Sequence, residues 1–267
     1  MIISSLRHSP VAVLIFCGLL AVTRLAWGPV LAVGGMLSAG QYMAAGLGMF
    51  ALGSMIALAV RAAGLAREGA RAVAVLPRAE LPADVHRMAR AAGIRRLSGL
   101  DGADCTAFCA GLLRPTVHLT TGAVHRLTLR ELEAVLVHES THAHRRDPLR
   151  RLIIRAAADV WPFLPVLGWW ARHRMERAEL IADRAALART GAEAVAGALW
   201  AAAGGRPDAP PHGSTFDAAV QARLDQLFGE EPPCPRPAVF TVAASIAGLL
   251  GMIALTLVLG PGVFARA

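Results

Sequence analysis

The stretch from Thr128 to Arg146 reads TLRELEAVLVHESTHAHRR and decides how this part of the chain folds. Thr128 is a favourable N-cap residue, and Glu131, three positions later, completes a capping box. Apolar residues follow at helical spacing. The stretch therefore predicts a helix that ends near Arg146, where the Asp147-Pro148 pair stops it.

Two histidines of this helix form a potential metal site. His138 and His142 are four residues apart, so their imidazoles lie on one helix face and reach a single ion. Glu139 projects beside them. In a His-Glu-x-x-His helix the histidines bind zinc and the glutamate acts as general base. We predict a catalytic zinc site, and the alternative of a solvated helix is disfavoured by the cap and the apolar flank.

A catalytic zinc needs a third protein ligand and an open position for water. Glu179 is the best candidate, because Asp183 follows one turn later and could accept a hydrogen bond from a ligand histidine. Glu176 is within reach on the same helix and is the alternative ligand. A solvated acidic face, with Arg177 and Arg184 as partners, is the alternative for the whole segment.

The composition points to a membrane protein. Hydrophobic residues make up 55% and charged residues 17% of the 267 residues, against about 45–50% and about 25% in soluble domains. Residues 42–60 and 238–259 are uncharged and match the roughly 20 residues that span a bilayer. Residues 11–31 form a third stretch, interrupted by Arg24. We expect about three transmembrane helices, with a cleaved signal peptide as the alternative for the first.

The arginines predict the orientation in the membrane. Arg61, Arg67 and Arg71 follow residues 42–60, and Arg236 precedes residues 238–259. The positive-inside rule then places the region between them in the cytoplasm. Arginines interleaved with acids, without an aromatic platform, do not indicate nucleic acid binding. The membrane surface accounts for the net charge of +8 more simply.

The fold class predicted is a mainly α integral membrane protein with a cytoplasmic α+β, zincin-like metallopeptidase domain. Two transmembrane helices occupy residues 1–60, the metallopeptidase domain residues 61–237, and a transmembrane helix with a short tail residues 238–267. The elements predicted inside the domain are helices at 81–92, 128–146, 171–190 and 216–228 and strands at 94–100, 106–111 and 116–120. The apolar segment 152–170, broken by Pro162 and Pro165, is expected to rest in or on the bilayer.

The His-Glu-x-x-His motif followed by Arg-Arg-Asp-Pro-Leu, at residues 137–149, resembles the integral-membrane zinc peptidases of the BlaR/MecR antirepressor class. The likeness extends to GLLRP at 111–115 and to ELIAD at 179–183. The prenyl-protein and heat-shock membrane proteases are similar at two of these segments and form the near alternative. The resemblance implies a role for five residues: zinc ligands His138, His142 and Glu179, general base Glu139, and supporting carboxylate Asp183. Asp147 of the motif is expected to be structural, capping the chain or pairing with Arg145 or Arg146.

The resemblance has two departures. The family often has more spans before the zinc domain than the two expected here. Members that sense β-lactams carry a penicillin-binding domain after the last span, whereas residues 260–267 alone follow the last stretch here. We therefore do not expect β-lactam sensing by that route.

Together these features predict a multi-pass cell-membrane zinc endopeptidase that cleaves a cytoplasmic or membrane-proximal protein or peptide, such as a repressor. Its partners would be the substrate and the bilayer, with no nucleic acid, and the oligomeric state is open. Membrane quality control by a prenyl-protease or heat-shock type enzyme is one alternative. A non-catalytic zinc-binding membrane sensor is another, but a structural site would fill its fourth position with Cys or His.

Overall fold

A computed structural model of the chain describes residues 39–203, 222–223, 225–230 and 235–259. The elements in chain order are α1 (Ala39–Ala74), β1 (Arg78–Ala79), α2 (Ala83–Ala91), β2 (Leu97–Leu100), β3 (Ala107–Ala110), β4 (Thr116–Thr120), α3 (Thr121–Arg126), α4 (Leu129–Arg145), α5 (Asp147–Val160), α6 (Pro165–Thr190), α7 (Ala192–Ala202) and α8 (Val239–Leu259). The fold is mostly helical with one small sheet, as predicted. The expected span at 11–31 lies outside the described residues, as does most of the helix expected at 216–228.

The four strands form one mixed sheet in the order β1-β2-β4-β3. β2 and β4 run parallel, with Leu97 opposite Val117, and β1 and β3 add to them antiparallel. β2, β3 and β4 lie within the segments predicted for them. β1 was not predicted, because two residues are too short to show the alternation that marks a strand.

The sheet and three helices share one hydrophobic core. Its buried residues from α2, α3, α4 and β4 include Val85, Ala89, Ala123, Leu132, Leu136, Val117 and Leu119. α4 therefore presents its Leu132–Leu136 face to the core. The same helix is fixed in rotation by this packing, which determines where its histidines point.

The chain divides into two compact units, one formed by Met1–Leu65, Ile153–Ala171 and Arg236–Ala267 and the other by Ala66–Leu152 and Arg172–Pro235. The sheet and its core belong to the second unit. In the first unit Arg61 and Asp159 form an ion pair of 2.8 Å, and the Ser245 hydroxyl accepts a hydrogen bond from the Val166 amide.

The predicted second and third spans are helical in the structure. The stretch 42–60 lies inside α1, which continues to Ala74, and 238–259 coincides with α8. Among the described residues one helix, Gly46–Ala74, is long and apolar enough to cross a membrane, by length and composition only. Large apolar side chains of both helices, such as Leu52 and Leu250, are exposed in the isolated chain. Three transmembrane helices remain a prediction.

Two sequence expectations between residues 147 and 190 need correction. Asp147-Pro148 does follow the end of α4, but it also begins α5, since proline fits the first turn of a helix, where its missing N–H is harmless. The helix expected at 171–190 begins earlier, at Pro165, for the same reason. Only the short turn 161–164 interrupts the segment 152–170.

The core position of α4 makes a prediction for stability. Leu136 is 0% exposed, so Leu136→Ala should lower the free energy of unfolding by about 2–5 kcal/mol. Leu129 lies on the same helix but is 69% exposed, and Leu129→Ala should change it by less than about 0.5 kcal/mol. Denaturant titration of both full-length variants in one detergent measures the difference. Equal effects of the two substitutions would show that α4 is not anchored by this face.

Candidate metal centre

The ends of α4 are built as the sequence predicts, and they position its histidines. The Thr128 hydroxyl accepts a hydrogen bond from the Glu131 amide, and the Glu131 carboxylate accepts one from the Thr128 amide at 2.7 Å. At the other end Arg146 adopts a left-handed conformation with φ 53° and ends the helix. This turn sends the chain back, so that Asp147 lies beside the last turn of α4.

Three predicted ligand side chains converge on one point. The Nε2 atoms of His138 and His142 are 3.1 Å apart. Glu179, from α6, places Oε2 at 3.3 Å from Nε2 of His138 and Oε1 at 3.5 Å from Nε2 of His142. In the described part of the chain no other cluster of His, Cys, Asp and Glu could hold a metal ion.

These distances fit a tetrahedral metal ion. Ligand atoms about 2.0–2.1 Å from zinc, at tetrahedral angles, are about 3.3 Å from one another. The three separations in the cluster lie close to that value. Two nitrogens and one carboxylate are also a donor set that zinc accepts in catalytic sites. The residues present therefore fit a zinc ion.

Each histidine is held by a buried aspartate on its other ring nitrogen. Nδ1 of His138 lies 2.9 Å from Asp183, and Nδ1 of His142 lies 2.9 Å from Asp147. Each carboxylate accepts a hydrogen bond from the Nδ1–H group of its histidine. The Nε2 atom then has no proton, and its lone pair can bind a cation. The two Nε2 atoms are 3.1 Å apart, so their lone pairs repel each other unless a proton or a metal ion lies between the rings and Glu179.

Asp147 makes a contact that the sequence did not predict. It was expected to cap the chain or pair with Arg145 or Arg146, and the pair with Arg145 is present at 3.6 Å. Its short contact, however, is with His142, and its side chain is almost completely buried. The sequence did not reveal this role because Asp147 lies beyond the helix end, where spacing rules no longer apply.

Two arginines complete the cluster, and sequence reasoning missed both. Arg223 donates two hydrogen bonds to the carboxylate of Asp183, from Nε at 2.5 Å and from Nη2 at 2.8 Å. Arg151, from α5, donates to Glu179 at 2.5 Å. The sequence suggests Arg177 and Arg184 as partners, because they are near Glu179 and Asp183 along the chain. The actual partners are 40 and 28 residues away, and no local pattern indicates them.

The charges around the histidines shift several pKa values. Burial acts to lower the pKa of His138, but hydrogen bonds with Asp183 and Glu179 outweigh it and raise the value to about 9. Burial also acts against ionised Glu179, yet hydrogen bonds with both histidines hold its pKa below the usual range. The cluster therefore favours a carboxylate facing a positive charge, which is what a metal ion provides.

Glu139 lies next to the cluster without joining it. The residue is buried, and burial raises the pKa of its carboxyl although His138 and His142 oppose the shift. Its side chain lines a cavity that also contacts His138 and Glu179. Glu139 is thus placed to exchange a proton with a molecule in that cavity.

The alternative ligand Glu176 is not part of the cluster. Its carboxylate lies 4.0 Å from His173, one turn earlier on α6. The structure therefore brings together His138, His142, Glu139, Glu179 and Asp183, the five residues singled out in the sequence, and leaves Glu176 outside.

A histidine pair and a glutamate around one point, with a second glutamate beside them, is an arrangement that occurs in metal-dependent hydrolases. Residues 76–203 match the sequence profile of Peptidase family M48. The matched region contains the three clustered residues and Glu139, and it supports a metallopeptidase. No curated protein matches the chain. The BlaR/MecR class stays a prediction, because the profile does not single it out.

The third ligand gives the first prediction for this site. Glu179→Ala should lose the metal at ordinary zinc levels, because it removes one of three protein donors. Glu176→Ala is the matched control on the same helix and should keep it. Metal analysis of both proteins, purified in detergent and titrated with a chelator, distinguishes them. Metal loss in Glu176→Ala with retention in Glu179→Ala would move the site.

Asp147, which contacts Nδ1 of His142, gives the second prediction for this site. Asp147→Asn removes the charged acceptor, so metal affinity or activity should fall about 10–100-fold. Asp84→Asn, at an exposed position of α2, should leave metal affinity unchanged. Chelator competition measures both. Unchanged affinity in Asp147→Asn would mean that the contact with His142 does not support the site.

Proposed function

We propose that the protein is a membrane-bound zinc endopeptidase that cleaves a cytoplasmic or membrane-proximal protein. The observation that carries the proposal is the three-donor cluster with buried Glu139 beside it. Three protein ligands leave a fourth position for water, whereas a structural zinc site is closed by four. In the described residues no cysteine or further histidine joins the cluster, which disfavours the non-catalytic sensor.

The residues then divide the reaction between them. A zinc ion held by His138, His142 and Glu179 would supply Lewis acidity to a water and to the scissile carbonyl. Glu139 accepts the proton of that water and later delivers it to the leaving amine. Asp183 and Asp147 keep the Nδ1 protons of the two histidines in place, so the rings do not turn away from the cluster.

We propose that an extended substrate binds along the edge strand β3. β3 lies at one end of the sheet order and pairs with β4 alone in the described part of the chain. Ala107 of β3 lines the same cavity as Glu139, so this strand lies near the proposed base. A peptide that added to this edge by β-augmentation would run past Glu139.

The biological role follows from the resemblance of the Arg-Arg-Asp-Pro segment. We favour regulatory cleavage of a cytoplasmic repressor, because residues 145–149 and GLLRP at 111–115 resemble the BlaR/MecR class. Quality control of membrane proteins, as in the prenyl-protease and heat-shock type enzymes, is the alternative. An adjacent gene for a winged-helix repressor would favour the first role.

The base is tested by a change that spares the ligands. Glu139→Gln should keep zinc and abolish peptide cleavage, because the amide cannot accept the proton. Metal analysis beside a casein cleavage assay gives both readouts, with Glu133→Gln on the same helix as control. Full activity of Glu139→Gln would end the peptidase proposal.

The membrane orientation is tested with reporters. A reporter fused after Arg78 should behave as cytoplasmic and one fused after residue 267 as external, since the arginines near residues 61–71 and 236 stay inside. Paired phosphatase and fluorescent-protein fusions measure this in cells. The reverse pattern would overturn the three-span arrangement.

A further inference from the structure

Three arginine side chains lie beside the metal centre, where α4 ends and α5 begins. Arg145 is the last residue of α4, and Arg150 and Arg151 belong to the first two turns of α5. Their side chains are 34%, 49% and 40% exposed, so all three are open to solvent. We call these three residues the basic flank. None of them lines the cavity that contains Glu139.

The basic flank is linked closely to the ligands of the metal centre. Arg151 donates a hydrogen bond from Nη2 to Glu179 at 2.5 Å. Arg145 and Arg150 lie 3.6 and 3.7 Å from the carboxylate of Asp147, which contacts a ligand histidine. An extended peptide advances about 3.3 Å per residue. A side chain within about three residues of the scissile bond can therefore reach the basic flank.

Several N–H groups of the basic flank have no acceptor. The separations of Arg145 and Arg150 from Asp147 are longer than a hydrogen bond. The Nε atoms of Arg145 and Arg151 are buried, and no described residue accepts a hydrogen bond from them. Buried N–H groups without a partner are rare in folded proteins. The two Nε atoms therefore indicate an acceptor that the described part of the chain does not supply.

The charges indicate that this acceptor is an anion. In the described residues the three guanidinium groups form ion pairs with two carboxylates, those of Asp147 and Glu179. Both carboxylates also serve the metal centre, since Asp147 contacts His142 and Glu179 belongs to the ligand cluster. A bound zinc ion would add further positive charge. A carboxylate is the planar anion that a guanidinium binds through two parallel N–H groups.

We propose that the basic flank is a specificity subsite of the peptidase and binds an acidic side chain, Asp or Glu, of the substrate. That residue lies within about three positions of the scissile bond, on one side of it. The assignment rests on the proposed peptidase function. The observations favour a peptide over a lipid headgroup, because Arg151 contacts a metal ligand directly and a group bound beside it lies next to the reacting atoms.

The proposal predicts which peptides are cut. The full-length protein in detergent is incubated with a proteome-derived peptide library, and new termini are identified by mass spectrometry. Asp and Glu should be enriched at one position within about three residues of the cut. In matched peptides, Glu at that position should exceed Gln about 10-fold in kcat/KM at low salt, between the effects of an exposed and a buried charge pair. The ratio should approach 1 in about 1 M salt, where the Debye length is about 3 Å. Equal cleavage of the Glu and Gln peptides at low salt would overturn the proposal.

A charge reversal tests the basic flank itself. Arg150 is the most exposed of the three and contacts no metal ligand, so Arg150→Glu should keep zinc in a chelator titration. It should lower kcat/KM for the Glu peptide about 10-fold and raise kcat/KM for a matched Lys peptide. Arg150→Gln, which removes the charge without adding one, should reduce the preference for Glu over Gln.

The matched control is Arg155→Glu, an exposed position five residues further along α5, which should change neither peptide. A merely structural arginine predicts equal losses for the Glu, Gln and Lys peptides. That result in Arg150→Glu and Arg150→Gln would refute the assignment.

Anionic lipid is the competing occupant of the basic flank. Phosphatidylglycerol added to the detergent micelles should leave the ratio of Glu to Gln cleavage above 1. If Arg150→Glu alters the response to phosphatidylglycerol and leaves the peptide ratio unchanged, the basic flank binds lipid and the proposal fails.

A binding measurement separates this proposal from the peptidase proposal. In Glu139→Gln, fluorescence anisotropy should show tighter binding of a labelled Glu peptide than of its Gln counterpart, and adding Arg150→Glu should reverse the order. If the wild type cleaves no peptide but this preference is present, the peptidase proposal fails and the acidic subsite stands. If cleavage occurs without any preference in cleavage or binding, the subsite assignment fails alone.

Discussion

The structure of this site depends on two imidazole nitrogens that point at each other across 3.1 Å. The buried Asp183 accepts a hydrogen bond from Nδ1 of His138, and the buried Asp147 accepts one from Nδ1 of His142. With those N–H groups engaged, the facing lone pairs need a cation, and Glu179 supplies the negative charge that balances it. The capping box fixes the start of the helix that carries both histidines, and Arg223 binds the carboxylate of Asp183 behind His138.

The fold serves the site through one helix and one turn. α4 is fixed in rotation because Leu132 and Leu136 pack into the core beneath the sheet, which leaves His138, Glu139 and His142 toward α6 and the cavity. The left-handed turn at Arg146 ends α4 and returns Asp147 to His142. Stability and chemistry are therefore carried by the same short stretch of chain.

The sequence was sufficient where the determinants are local. The capping box, the helix, the histidine pair and the Glu179–Asp183 spacing all follow from contacts within one helical turn. It was insufficient where partners come from elsewhere. The contacts of Arg151 and Arg223 depend on how helices are arranged in space, which no short-range pattern encodes. The contact of Asp147 with His142 depends on the left-handed turn at Arg146, which arginine does not announce. The start of α6 at Pro165 was missed because proline marks both the interruption and the first turn of a helix.

The central claim is that His138, His142 and Glu179 together hold one metal ion and leave a position open beside Glu139. X-ray absorption spectroscopy of the zinc-loaded Glu139→Gln protein tests it most directly, because that variant keeps all three ligands. The account predicts that the zinc ion has two imidazole nitrogens and further oxygen ligands at about 2.0–2.2 Å and no sulfur ligand. A sulfur shell near about 2.3 Å, or a site with four protein ligands, would contradict it.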